Sequence, residues 1–350
     1  MKIAWLVNHI NQVGGIEQVV YGLSQHFSCV LGHEVEIISI NSDDGRPFFP
    51  LDLSVPIRHC GLNWRDETPK RFRETIRRVL RELDADILLT CHPRISTAVL
   101  MNRSLFHGKI IVTQHSTCDS FGAKRRMLNA VFFRFADALV VLNKPDQNFY
   151  RRTFCKSLII PNALFSAVSG VSDLKEPVLV AAGRLTEVKG FDMLVDAFAA
   201  AAPQHPQWSL FICGDGDQME ALKQRSARLG MADRIHFPGF VKTTDYMRRA
   251  SGYVLSSRSE SFSLVLLEAF AHGLPVVSFE LPAIMEVSQN TGILTAPCND
   301  VSALSAQLDQ LMASDDLRRK LSREARKRAE HYTVEAIADQ WMSLFHKLLD

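Results

Sequence analysis

The sequence has no surplus of either charge. Its 40 lysines and arginines face 38 aspartates and glutamates, for a formal net charge of +2. Nucleic-acid binders concentrate basic residues on one element, and no such excess exists at whole-chain level, so nucleic acid is not an expected partner. Long apolar runs are missing as well. The opening MKIAWLVNHINQVGG has one lysine and an apolar run that stops at Asn8, too short for a signal peptide or a membrane span. No later stretch reaches the ~18 uninterrupted apolar residues a span requires. A cytoplasmic location follows as the expectation, with contact at the inner face of a membrane as a further option. The seven cysteines (Cys29, Cys60, Cys91, Cys118, Cys155, Cys213 and Cys298) are scattered singly. Their odd number and wide spacing exclude a zinc motif and read as free thiols in a reducing compartment. The twelve histidines show no metal-ligand spacing, and no low-complexity tract or short repeat is present. Neither metal nor cofactor is expected.

What is present is the composition of an ordinary globular protein, 47% apolar and 22% charged. At 350 residues the chain exceeds the ~250 to 300 at which single cores stop growing, which favours two domains. Short apolar runs at Ile3–Val7, Val35–Ile40, Ile87–Thr90, Ile110–Thr113, Leu139–Leu142 and Leu158–Ile160 alternate with helical patterns, the first over Ile16–Leu31. After a softer stretch, Pro161–Pro177, the pattern restarts at Val178–Ala182, Leu210–Cys213, Ile235–Phe237, Tyr253–Ser256 and Val276–Ser278. Continuous apolar strands between helices indicate parallel sheets covered on both faces. The fold class is α/β: two Rossmann-like, doubly wound domains, residues 1–162 and 163–332, with the space between them as the default ligand site. The last segment, 333–350, is a helix with an apolar stripe at Val334, Ile337, Ala338, Trp341, Leu344, Phe345 and Leu348. It packs on the nearer domain or crosses back to the first.

Two segments carry chemistry. In SSRSESFSLVLLEAFAHGLPVV, Ser256–Val277, a strand ends at Ser256 and a helix is expected over Ser263–His272, stopped by Gly273 and Pro275. Glu260 lies in the loop at the strand's carboxyl end and Glu268 between one and two turns into the helix. The amides of Phe262, Ser263 and Leu264 are free at the helix start, which together with the helix dipole makes an anion site. One segment thus offers a phosphate cradle and two carboxylates that can hold hydroxyl groups; the plainer alternative is two solvated acids. In VLVAAGRLTEVKGFDML, Val178–Leu194, a buried strand ends at Ala182 and Gly183 permits a tight turn. Arg184 and Lys189 follow, and Gly190 precedes the next helix. Two cations at a strand's carboxyl end suit a diphosphate, the first as a bidentate fork and the second as a point charge. Alone, they read equally well as surface cations.

The spacing E-x7-E at Glu260 and Glu268, preceded by GRLTEVKG, resembles the retaining family 4 glycosyltransferases of the GT-B fold, two Rossmann-like domains facing a central cleft. Other positions match in order: Gly14, Gly15 and Glu17 in VGGIEQVV, His115 in VTQHS, Pro161 and Asn162 in IIPNAL, Gly214, Asp215 and Gly216 in ICGDGD, and Gly239 in FPGFV. The resemblance implies a metal-independent transferase moving a hexosyl or N-acetylhexosaminyl unit from a nucleotide-diphosphate sugar, with a bias to UDP. The acceptor would be a glycan or lipid-linked sugar in bacterial surface-polysaccharide or lipopolysaccharide assembly. Under it, Arg184 and Lys189 neutralise the diphosphate, Glu268 holds the ribose, and Glu260 contacts the transferred sugar. The amides of Phe262–Leu264 and of Gly15 meet phosphate or sugar, beside the turns at Gly183 and Gly214. Phe240 and Val241 lie on the base-contacting loop, and His115 sits beside the anomeric carbon. Retention follows from attack on the face of departure with the leaving phosphate as base, Glu260 being the rival nucleophile.

This chain departs from the family pattern at Ser261, Ser263 and Ala163, where glycine is frequent, and in a shortened Pro282–Leu294 segment that bears on the sugar contacts. Competing readings are a sugar phosphorylase or epimerase on a similar scaffold, and a non-catalytic binding partner. Asp215-Gly-Asp217 has the Asp-x-Asp form of metal-dependent transferases, but its place before a helix reads as an N-cap role for Asp217. On the acceptor side, Pro69–Leu83 is an amphipathic helix with arginines opposite its apolar stripe. Lys124–Phe135 combines Lys124, Arg125 and Arg126 with Phe132, Phe133 and Phe135, a pattern that fits an anionic membrane as well as core packing. The basic run Arg318–Arg328 reads as a solvated helix face.

Overall fold

A computed structural model of the protein describes residues 1–12, 14–41, 55–62, 68–165 and 170–350. Four residues of the expected linker, 166–169, lie outside the described residues. The chain divides into two compact units, Met1–Phe165 together with Thr333–Asp350, and Ser166–Tyr332.

The first unit holds seven strands: β1 (Lys2–Val7), β2 (Glu34–Asn41), β3 (Ile57–Leu62), β4 (Ile87–Thr90), β5 (Lys109–Gln114), β6 (Ala138–Val141) and β7 (Ser157–Ile159). All pair in parallel, in the order β3-β2-β1-β4-β5-β6-β7. The order reverses between β1 and β4, the doubly wound signature. Central strands are buried throughout, as at Ile87, Leu88 and Leu89, which is why their sequences are unbroken apolar runs. β3 was not apparent in the sequence. It lies at the sheet edge, where Ile57, Arg58 and Cys60 are half-buried and only Leu62 is buried.

The helix Pro69–Glu82 starts as its sequence dictates. Thr68 caps it by accepting from the Arg71 amide at 3.2 Å, and Pro69 fills the first turn. Its Phe72, Ile76, Val79 and Leu80 enter the core. The expected helix over Ile16–Leu31 is two pieces, an α-helix Gly15–Gln25 and a π-helical turn His26–Val30. The wider turn buries His26 and Phe27 side by side. The terminal helix Val334–Leu349 is capped by Thr333, whose hydroxyl accepts from the Ala336 amide. It belongs to the first unit. Trp341 meets Trp5 edge-on at 6.4 Å, and Phe345 meets Phe27 at 5.6 Å.

The second unit holds six parallel strands: β8 (Val178–Ala182), β9 (Ser209–Cys213), β10 (Ile235–Gly239), β11 (Gly252–Leu255), β12 (Val276–Phe279) and β13 (Ile293–Ala296). Their order is β10-β9-β8-β11-β12-β13, reversing between β8 and β11. β13 is again an edge strand that the sequence did not signal. Among the described residues no helix is long and apolar enough to cross a membrane.

Trp341 is 3% exposed and buries its ring against Trp5, so Trp341→Ala is expected to destabilise the first unit by about 3–5 kcal/mol. Urea unfolding should show one transition moved and that of the second unit unmoved; an unshifted curve contradicts the packing.

Candidate active site

In a doubly wound sheet, ligands bind beyond the carboxyl ends of the strands where the order reverses. In the second unit that point lies between β8 and β11. The two strands pair only through Leu179 and Val180 with Gly252 and Tyr253. Beyond Val180, the Tyr253 hydroxyl supplies partners to Ala182. It accepts from the Ala182 amide at 3.1 Å and donates to the Ala182 carbonyl at 3.2 Å. Burial raises this phenol's pKa above its ordinary value, which keeps the proton needed for the second bond.

The loops after these strands are stitched together. The turn Glu187–Lys189 follows β8, and Gly190 caps the helix Phe191–Ala201 in the left-handed region (φ 64°). A Cβ there would collide with the Ser256 carbonyl, so glycine serves both conformation and close approach. Ser256 Oγ donates to the Lys189 carbonyl at 3.1 Å, and the Arg258 amide donates to the Val188 carbonyl at 2.8 Å. The Arg258 guanidinium reaches the Glu187 carbonyl at 2.6 Å and grips Asp192 with two bonds of 2.9 and 2.7 Å. Burial works against ionisation of Asp192, but the guanidinium outweighs it and holds the carboxyl below its usual range.

This stitching brings Lys189 and Glu260 together. Lys189 Nζ lies 2.6 Å from Glu260 Oε1, and Ser257 Oγ donates to the same oxygen at 2.7 Å. The side chains are 26% and 7% exposed, so the carboxylate is nearly enclosed and the ammonium partly open. The methylenes of Lys189 lie over Gly183. Arg184 is exposed, and among the described residues its side chain forms no ion pair. Gly214 has φ 137° and packs against the Gly183 carbonyl; its amide donates to Gly239 at 2.8 Å, tying the turns after β8, β9 and β10 together. Phe240, 62% exposed, and half-buried Val241 follow β10 directly.

The helix after Glu260 runs Leu264–Ala271. Ser263 is its N-cap rather than its first residue, accepting from the Leu266 amide at 3.3 Å. The amides of Phe262, Ser263 and Leu264 have no acceptor among the described residues. The Phe262 ring is buried against Tyr332. Glu268 is half-buried on the same helix. The Asp217 reading fails: the helix Met219–Arg228 has Gln218 at its N-cap position, and it is Asp215 that bonds an amide, that of Gly216 at 2.8 Å. Among the described residues no group of three His, Cys, Asp or Glu side chains is placed to hold a metal ion. Sequence reasoning missed Tyr253, Ser257 and the Arg258–Asp192 pair. Ser257 and Arg258 stand in the same short motif as Glu260, and that proximity was the available signal.

Two of the predicted residues, Gly15 and His115, belong to the first unit. Gly15 opens the helix Gly15–Gln25 and is exposed, with Gly14 at the N-cap and the Glu17 carboxylate folded back over it. His115 follows β5. Its Nε2 lies 3.0 Å from Thr113 Oγ1, whose own proton goes to the Thr90 carbonyl at 3.2 Å. That hydrogen-bond pattern assigns the imidazole proton to Nε2. Burial pushes its pKa down to about 4, so the ring is neutral near pH 7. The unfolded chain takes up this proton near pH ~6.5. Stability is therefore expected to fall as pH drops through the window between those values, and His115→Gln should lack that part of the decline. Urea titrations at the two ends of the window measure it; identical slopes in both proteins contradict it.

The chain matches the family models described as Glycosyltransferase Family 4, over residues 13–164, and Glycosyl transferases group 1, over residues 166–328. It is 30% identical over its whole length to an exopolysaccharide phosphotransferase of Streptomyces coelicolor, of which it spans only 41%. It is 25% identical to an α-1,4-N-acetyl-D-galactosaminyltransferase of Campylobacter jejuni named for a PP-undecaprenol-linked acceptor, with 98% of each chain covered. The crystal structure of Anabaena HepE in complex with UDP superposes with a TM-score of 0.82 at 17% identity, covering 99% of this chain and 100% of the other, which establishes the shared fold. With both of its units matched in order, the chain belongs to the family 4 glycosyltransferases of the GT-B fold.

Proposed function

We propose that the chain is a retaining, metal-independent glycosyltransferase that moves a hexosyl or N-acetylhexosaminyl unit from a UDP-sugar to a glycan or lipid-linked acceptor. The observation that carries this reading is the contact between Lys189 and Glu260 at the strand-order reversal of the second unit. The Campylobacter relative's lipid-linked acceptor and the UDP bound by HepE support the acceptor and donor classes.

The chemistry follows from donor counting. An ammonium has three N–H groups. Lys189 spends one on Glu260 and keeps the others for a diphosphate. Arg184 brings an exposed guanidinium that forms no ion pair among the described residues, and the leading amides of the Leu264–Ala271 helix add their partial positive charge. When the sugar–phosphate bond breaks, negative charge grows on the leaving diphosphate. Lys189, held by Glu260, and the helix amides are fixed in place and stabilise that state more than the ground state, and Arg184 closes on the same charge; together they take the part a metal plays in other transferases. The leaving phosphate removes the acceptor's proton, with attack on the face of departure. Glu260 has one oxygen occupied by Lys189 and Ser257, so its other oxygen is the acceptor for a sugar hydroxyl, and it orients the sugar rather than attacking it. Glu268 holds the ribose, Phe240 and Val241 the base, and Gly15 and neutral His115 act from the first unit.

Lys189→Ala and Arg184→Ala are each expected to lower turnover by ~10² to 10³ while the fold survives. Radiolabelled UDP-sugar turnover in the presence of EDTA measures both this and metal independence; near-normal rates in both variants, or abolition by EDTA, would remove the mechanism. A donor at 100 times its dissociation constant should stabilise the protein by ~2.7 kcal/mol in a thermal-shift screen. Arg258→Ala and Asp192→Ala are expected to lower kcat by at least tenfold, because either change frees the turn that aims Lys189. The double variant should be little worse than either single one, and additive losses would show that the pair does not act as a unit.

A further inference from the structure

In the first unit, the helix Ala123–Phe133 turns toward solvent a face that no acid interrupts. Met127 is 68% exposed, Leu128 38% and Val131 42%, and Phe135, just past its end, 53%. Spaced three and four apart, they form one helical stripe. Two of the aromatic residues expected here are elsewhere: Phe133 is buried beside Tyr150 and Phe132 packs partly against the core. Phe154 takes their place. It follows the helix Lys144–Arg152, is 86% exposed, and has φ 64°. A bulky residue in the left-handed region costs ~1–2 kcal/mol, and a phenyl ring facing water offsets none of it. Cys155, the next residue, packs under the stripe with Sγ 3.8 Å from the Ala130 carbonyl, so Phe154 emerges next to the same helix.

The surroundings are cationic. Residues 123–156 hold eight basic and two acidic side chains. Of the acids, Asp137 is paired with Arg103 at 2.9 Å and Asp146 is buried in a helix cap. Lys124, Arg134, Arg151, Arg152 and Lys156 are exposed, and among the described residues none of them forms an ion pair.

We propose that this face docks on an anionic lipid surface, with Met127, Val131, Phe135 and Phe154 entering the headgroup boundary and the bases meeting lipid phosphates. The proposal rests on the lipid-linked-acceptor reading above and names where the chain meets the bilayer. Charge selects lipid over a second copy, because two such faces stacked together would repel.

Vesicle flotation of the full chain tests it, using phosphatidylcholine alone and mixed with phosphatidylglycerol. Binding is expected to the mixed vesicles at low salt, weaker at high salt and on neutral vesicles. Phe154→Ser combined with Val131→Ser should lower partitioning at least tenfold. Lys124→Gln and Lys156→Gln should each lower it about fivefold. The UDP-sugar thermal shift of all these variants should stay at the wild-type value, which also shows that they fold. Absence of flotation on anionic vesicles at low salt, or flotation unchanged by the Phe154 and Val131 substitutions, overturns the docking face. So does wild-type self-association that those substitutions abolish, which would make a second copy the occupant. A wild type that floats yet shifts with no UDP-sugar would instead remove the transferase reading and leave the docking face standing.

Discussion

A carboxylate that is 7% exposed must have donors, since an unpaired charge in that position is strongly destabilising. Glu260 finds two on one oxygen, the Lys189 ammonium and the Ser257 hydroxyl. Lys189 arrives from the loop after β8 and Glu260 from the loop after β11, so the demand is met only where those loops touch. The local architecture serves that contact. Tyr253 fills the place where strand pairing stops, Gly190 lets backbones approach, and Arg258 fixes the Glu187–Lys189 turn through three oxygens.

The same contact leaves two different cations at one strand end. Lys189 is held in place and half neutralised, whereas Arg184 is exposed with no local partner among the described residues. A held charge loses little freedom when an anion arrives, and a free one can follow the anion's shape. The Ser263 cap divides the helix amides in a similar way, satisfying that of Leu266 and leaving those that precede it.

Legibility in the sequence followed burial. β1, β4, β5, β8 and β11 are enclosed on both faces, so their apolar runs were unmistakable. The missed strands, β3 and β13, are sheet edges, where polar residues such as Arg58 and His59 interrupt the pattern. At the site, residue types and spacing identified the motifs but not their mutual contacts. Nothing in GRLTEVKG shows that Lys189 gives one donor to Glu260, 71 positions away, or that Asp192 meets Arg258. Helix phase was the other limit. Phe132, Phe133 and Phe135 lie within four residues, and only the rotation of the helix decides that Phe133 is core and Phe135 surface. Asp217 failed for a like reason, because the helix begins two residues later, at Met219, with Gln218 between them.

The first unit is discontinuous in the chain, for its terminal helix follows all of the second. During synthesis, residues 333–350 leave the ribosome only after residues 166–332 have emerged. The nascent sheet around β1 therefore waits with Trp5 and Phe27 lacking their partners Trp341 and Phe345, while the later unit already has every strand it needs. The half that is made first is the half that finishes last, and its aromatic surface is what a chaperone would meet in the interval.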